Sequence, residues 1–297
     1  MRARAPGKLV ISGSYSVLEG APALVAAADR YAVAEVGVAP PLVTPEVRCA
    51  FEELERSDYP GFDASALRSG DRKLGLGSSA AILVASLAVV WPDDVADDAL
   101  AEALFPLALR SHRRAQGGGS GVDVAAACFG GVIRCAPGDD DAMAVDAQPL
   151  VEGLVIETWA CPGAASTRAM LEKVGALRES DPSGYRKRLD AAAAGAHAAV
   201  AATTVEAFVA ALGAQYDALG ALGEAAGAPI VTAEMRALDE VARSAGARFG
   251  PSGAGGGDIA LFSGAEPSPA GFRSRAEAAG LSLLSLRLGA PGVQRSS

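Results

Sequence analysis

Apolar and polar positions along this chain repeat with two different periods. Segments 8–12 and 22–37 are rich in Val, Leu and Ala and are separated by the turn GSYSVLEGAP. Runs bounded in that way predict two strands of one sheet. Residues 51–72 are polar and irregular around DYPGFD. Ser78–Val90 is apolar nearly all round, which predicts a buried helix. Residues 97–116 predict a second helix. Asp97 and Asp98 lie near its start and Arg110, Arg113 and Arg114 near its end, as the helix dipole favours. GGGSG at 117–121 breaks the pattern, after which Val122–Phe129 predicts a helix and 131–135 a strand.

PGDDD at 137–141 predicts a loop, and 154–159 a strand. Residues 183–247 are Ala-rich with helical spacing that breaks near 227–229. A glycine loop, GPSGAGGGD, then leads to a strand at 259–262, a helix around 272–279 and a last strand at 282–288. Strands and helices mix without a regular βαβ repeat, which predicts an α+β fold in two layers. No internal repeat or low-complexity linker is visible. The boundary is expected near 150, giving domains 1–150 and 151–297.

A length of 297 residues suits about two domains. Half of the residues are hydrophobic and 21% are charged, so a sizeable core is available. The net charge of -9 argues against a nucleic-acid partner, which leaves a basic footprint. An anionic ligand would need local positive groups working against the overall field. The four cysteines form no C-x-x-C pair and there are only two histidines, so no zinc site is expected. The cysteines read as buried thiols of a reduced, cytoplasmic protein. MRARAPGKLV carries charge but no apolar stretch, so no signal peptide is expected. The apolar run 80–91 is too short to span a bilayer, so no membrane association is expected.

Candidate chemistry gathers in the glycine loops. KLGLGSSAA, 73–81, places Gly75 and Gly77 and the hydroxyls of Ser78 and Ser79 directly before the apolar helix. Such a start can cradle a phosphate on backbone N–H groups. It can equally reflect tight packing with Ser78 or Ser79 as a helix cap. The string also fits G-x-G-x-x-A, but LRSGDRK is a poor preceding strand, and Asp97 and Asp98 read as a helix start. The Walker A pattern is absent. SGAGGGD, 252–258, offers a surface made of backbone alone, and GGGSGVD, 117–123, is a third small-residue segment ending in a carboxylate.

PGKLVISGSYSVLEG, KLGLGSSAA and SGAGGGD resemble, in this order, the three motifs of the GHMP kinases. The resemblance covers most of the chain. It implies an N-terminal domain like ribosomal protein S5 domain 2 and a ferredoxin-like C-terminal domain. Within the family the chain most resembles the bacterial phosphomevalonate kinases. Four features carry this: Tyr15 after Ser14, HRRAQGGGSGVDVAAACFGG, WACPGAASTRAMLEKV, and the end SLLSLRLGAPGV. The chain departs from relatives in having Ser14 for a Glu that many carry, and in a shorter stretch at 48–72.

The resemblance implies ATP and Mg2+ as cofactors and a phosphoryl transfer to (R)-5-phosphomevalonate giving 5-diphosphomevalonate. Lys73, Gly75, Leu76, Gly77, Ser78, Ser79 and Ala80 would hold the ATP phosphates, with Ser79 as magnesium ligand. Lys8 would neutralise charge at the transferred phosphoryl, and Asp123 would hold Lys8, shape the metal field or orient the acceptor. Asp123 is also placed to cap the helix that follows. Tyr15, Ser120, Gly121, Ser166, Arg168, Ala254, Gly255 and Gly256 would contact the acceptor, Arg168 doubling as an ordinary helix-surface arginine. His112 reads as a satisfied structural histidine beside a helix-terminal charge run. Other readings are mevalonate kinase or another family kinase, or a ligand-binding protein of this fold without catalysis. The expected state is a monomer or homodimer.

Overall fold

The computed structural model describes residues 1–70, 72–138, 142–163 and 167–296. The first strand is longer than 8–12 suggests, β1 being Arg2–Ser12, whereas β2, Ala23–Glu35, lies within the expected 22–37; a single 3-10 turn at Ser16–Glu19 joins them. Irregular chain was expected from residue 51, yet a helix, α1 (Pro45–Glu53), runs into that stretch. Thr44 Oγ1 accepts from the Val47 N–H at 3.3 Å, Pro45 opens the first turn, and Val47, Ala50 and Phe51 are buried. The short segment that follows still forms β3 (Gly61–Asp63), β4 (Arg68–Ser69) and β5 (Arg72–Lys73).

Helix α2 (Ser78–Val90) has the expected bounds, and Ala80 to Val89 are all buried. Helix α3 (Leu100–Gln116) starts three residues later than expected; α4 (Val122–Phe129) does not differ. Then come β6 (Val132–Pro137) and β7 (Met143–Ala147); most of the expected PGDDD loop lies outside the described residues. The remainder is β8 (Val155–Ala160), α5 (Thr167–Ser180), α6 (Pro182–Ala201), α7 (Val205–Ala226), α8 (Ala233–Arg243), β9 (Arg248–Pro251), β10 (Ile259–Gly264), α9 (Ala270–Ala278), β11 (Ser282–Leu284) and β12 (Gln294–Ser296). The final strand was expected to continue to residue 288. It stops at Leu284, and Asp29 accepts from the backbone N–H of Arg287 at 2.8 Å and from its Nε at 2.8 Å.

Two compact units result. One comprises Met1–Leu9, Val25–Ala147 and Leu286–Ser297; the other comprises Val10–Leu24 and Gln148–Ser285. The larger sheet has the order β12-β1-β2-β6-β7, with β3 also pairing on β2, and belongs mainly to the first unit with α1 to α4. In the second unit the order is β11-β8-β10-β9, every pairing antiparallel. The strand β10 therefore separates β8 from β9, which point the same way. This is the split βαβ arrangement of a ferredoxin-like sheet. The α+β class expected from the sequence is what the structure has.

The core of the second unit gathers on Phe272. Its ring meets Trp159, Phe249 and Phe262 edge-on, with centroids 5.6, 5.1 and 4.9 Å away. Such pairs add to the burial of each ring. Three of the four cysteines, Cys128, Cys135 and Cys161, are buried, whereas Cys49 on α1 is half-buried. Burial, with Asp123 and Asp146 nearby, pushes the Cys135 thiol up to about 12. Among the described residues no helix is long and apolar enough to cross a membrane. Phe272→Ala is expected to destabilise the protein by about 3–5 kcal/mol, read by urea denaturation. A loss below about 1 kcal/mol, the size of an ordinary surface change, would show that this ring does not hold the core.

Candidate functional site

The KLGLGSSAA segment puts its glycines at a left-handed turn into α2. Gly77, with φ +73°, is the N-cap residue, and no side chain caps this end. Neither Ser78 nor Ser79 serves as a cap, so the first N–H groups of α2 are left to solvent or to a ligand. Lys73 is exposed on β5, Gly75 is half-buried and Leu76 is buried. The Leu76 carbonyl accepts from the Lys8 N–H at 2.8 Å, and the Gly75 carbonyl accepts from Lys8 Nζ at 3.2 Å. Strand β1 and this turn are thus stitched together through one residue.

Gly77 is also where two charged side chains come closest to the turn. A Cβ built there would lie 2.9 Å from Lys8 Cγ and 3.4 Å from Asp123 Cβ. Asp123, its side chain 20% exposed, sits in the first turn of α4. Its Oδ1 accepts from the Val124 N–H at 3.0 Å, and its Oδ2 lies 3.3 Å from His112 Nε2. The carboxylate therefore supports the helix start with one oxygen and meets the buried His112 ring with the other. Ser120 and Gly121 precede it, and Arg113 donates to the Ser120 carbonyl at 3.0 Å.

His112 differs from its sequence reading. It is 3% exposed, and its Nδ1 is buried with no hydrogen-bond partner among the described residues. Its Nε2 faces Gln116 Nε2 at 3.1 Å, Asp123 Oδ2 at 3.3 Å and Ser79 Oγ at 3.5 Å. Gln116, one helical turn on, also donates to Ser79 Oγ at 3.4 Å and to the buried Glu46 at 3.2 Å. Sequence reasoning passed over Gln116 and Glu46. Their signals are present, however: residues 112 and 116 share one face of a helix, and Thr-Pro-Glu at 44–46 is a helix start. The neighbouring arginines bind α1 instead: Arg110 pairs with Glu53, and Arg114 with the Cys49 carbonyl and Glu52.

The remaining candidates belong to the second unit. Tyr15 is buried at φ +62°, a conformation that a bulky residue adopts only under constraint. Its hydroxyl donates to the Ala254 carbonyl at 2.7 Å, and burial pushes its phenol up. In the same glycine loop Ser252 Oγ donates to the Val10 carbonyl at 2.9 Å and the Gly256 N–H to Ile230 at 3.2 Å. Gly255 has φ +77°, and a Cβ there would stand 2.1 Å from the Ile230 carbonyl. Arg168 on α5 is 86% exposed and pairs with Glu172 at 2.9 Å. Ser166 lies outside the described residues.

Residues 46–131 match the family model of the GHMP kinases N terminal domain. No curated protein matches the chain. Among solved structures, the Lin0012 protein from Listeria innocua is 20% identical, covers 99% of each chain and superposes with a TM-score of 0.84. Streptococcus pneumoniae phosphomevalonate kinase in complex with phosphomevalonate and AMPPNP is 18% identical, over 97% of this chain and 99% of that one, with a TM-score of 0.76. L. major mevalonate kinase in complex with R-mevalonate is 16% identical, over 94% and 90%, with a TM-score of 0.64. The likeness to these structures over nearly the whole chain shows the GHMP kinase fold.

Gly77 and Gly117 offer a clean comparison. Both are left-handed, but around Gly117 there is open space. Gly117→Ala is expected to cost about 1–2 kcal/mol from the backbone alone. Gly77→Ala should cost more by about 1 kcal/mol or above, because Lys8 must also give way. Equal losses in denaturant titrations would show that Lys8 does not pack against the turn.

Proposed function

We propose that this protein is an ATP-dependent small-molecule kinase that transfers the γ-phosphoryl of ATP to (R)-5-phosphomevalonate, giving 5-diphosphomevalonate. The observation that carries the reading is the convergence on Gly77 of an uncapped helix start, one lysine and one carboxylate. Phosphoryl transfer requires little covalent chemistry from the protein; it requires positioning and positive charge. The N–H groups at Gly77 to Ala80 supply donors and the dipole of α2 for the nucleotide phosphates. Lys8 supplies the mobile positive charge, and its tie to the Gly75 carbonyl keeps it at the turn. The likeness to structures bound to phosphomevalonate and to mevalonate supports the substrate class.

A magnesium ion fits this site as a companion of the nucleotide. Among the described residues there is no group of three His, Cys, Asp or Glu side chains that would cage a metal. Phosphates and water would supply most of its ligands, and Ser79 Oγ would supply one. When bound, the ion neutralises charge on the phosphates. Tyr15, Ser120, Gly121, Ser166, Arg168 and the backbone at Ala254, Gly255 and Gly256 are assigned to the acceptor. Arg168 would have to exchange Glu172 for an anionic group of the substrate, a swap between two exposed partners of little cost.

The acceptor decides what Asp123 does. A phosphomonoester has a second pKa of about 6 and needs no base at neutral pH. Asp123 then orients Lys8 and the acceptor. A hydroxyl acceptor, as in the reading with mevalonate, would make it a general base. Release of ADP over a panel of acceptors is expected to show phosphomevalonate preferred by at least about tenfold in kcat/KM, the free energy of roughly one good contact. Preference for mevalonate, or turnover of neither, would overturn the assignment. Lys8→Ala should lower kcat by about two to three orders of magnitude. Asp123→Asn should lose less than Asp123→Ala, and the pH–rate profile should lack the acid-side fall that a carboxylate base imposes.

A further inference from the structure

The buried imidazole of His112 is not used by any of the roles above, and its geometry is unusual. One nitrogen is crowded by three polar atoms while the other, equally buried, meets none among the described residues. An ionised carboxylate only accepts, so a hydrogen bond to Asp123 Oδ2 requires the proton on Nε2. Gln116 can then direct its amide hydrogens to Glu46 and Ser79, both within 3.4 Å. Nδ1 is left as a lone pair, with no donor to satisfy. This arrangement gives the carboxylates of Asp123 and Glu46 one donor each.

We propose that His112 is a positioning residue: its Nε2–H holds the Asp123 carboxylate at its angle to Lys8, while Gln116 one turn on holds the Ser79 hydroxyl. Gln116 extends the same constraint to Glu46 at the start of α1. His112 touches neither phosphoryl group nor acceptor in this scheme. It fixes the relative placement of three separate helices, α2, α3 and α4, at the point where their starts or ends carry the chemistry. The proposal rests on the phosphotransferase reading for its effect on rate, but not for the contact itself.

Because only Nε2 is engaged, glutamine should replace His112, since its amide nitrogen reaches as far as Nε2. Phenylalanine should not, although it fills the space. His112→Phe is expected to fold with an unchanged thermal midpoint and to lose about tenfold to a hundredfold in kcat, the penalty of misplacing a catalytic group by an ångström or less. KM should change little, and His112→Gln should recover most of the rate. Unimpaired turnover in His112→Phe, or His112→Gln no better than His112→Phe, would overturn the proposal. If His112→Phe does not fold, His112→Gln alone decides by retaining or losing kcat.

A second arm does not depend on turnover. With two histidines in the chain, 15N spectra of the imidazoles are simple, and His197→Gln, on the exposed face of α6, assigns them. His112 should show the proton on Nε2, and Asp123→Ala should move that resonance. A proton on Nδ1, or a resonance indifferent to Asp123, would overturn the contact. A wild-type protein that phosphorylates nothing would remove the kinase reading and leave this spectrum to judge the contact.

Discussion

At Gly77 the backbone turns left-handed, and the space that a side chain would fill is taken by the stem of Lys8 and the edge of Asp123. The rest of the first unit's site is arranged around that turn. The missing Cβ lets a cation and an anion approach the start of α2 together. The carbonyls of Gly75 and Leu76 then hold Lys8 by side chain and by backbone. A site for an anion in a protein of net charge -9 has to be built by such local means, because the overall field opposes it.

The second glycine loop solves a different problem. It is pinned by neutral hydrogen bonds from Tyr15 and Ser252 and to Ile230, and one of these pins is a residue in a strained conformation. Strain of this kind persists only where surrounding packing fixes it. Tyr15 is fixed by belonging to the apolar core of its unit. Its hydroxyl, engaged by Ala254, has less to offer an acceptor than its place in the motif suggests.

Much of this was legible before the structure. The bounds of α2 and α4 are those expected, because an all-apolar run and a short apolar run between glycines are strong signals. Helix α1 was not picked out by periodicity: it is only nine residues long, and its clearest signal lies in the Thr44 cap and Pro45. Strand β12 is three polar residues that pair on β1, with no alternation to read. The site divided in the same way. Lys8, Ser79 and Asp123 were visible as motif residues, and all three are in the first unit. The place of His112 depends on how α3 meets α2 and α4, which no local pattern records. Resemblance pointed to the fold; the neighbours of one buried imidazole depend on packing alone.

The way the chain is apportioned between the units has a consequence for anyone who would take the protein apart. The second unit borrows Val10–Leu24 from near the beginning of the sequence. Within that loan are Ser12 and Gly13, which the buried Gln215 binds, and Glu19, which Arg178 and Tyr185 bind. A fragment cut at residue 148 would therefore lack its own keystone: it would keep both the glycine loop and Gln215 and leave each without its counterpart. The two halves are intelligible separately as architecture, yet as polypeptide they are interleaved, and during synthesis the early segment of the second must wait for more than a hundred further residues before it has Arg178, Tyr185 and Gln215 to grip.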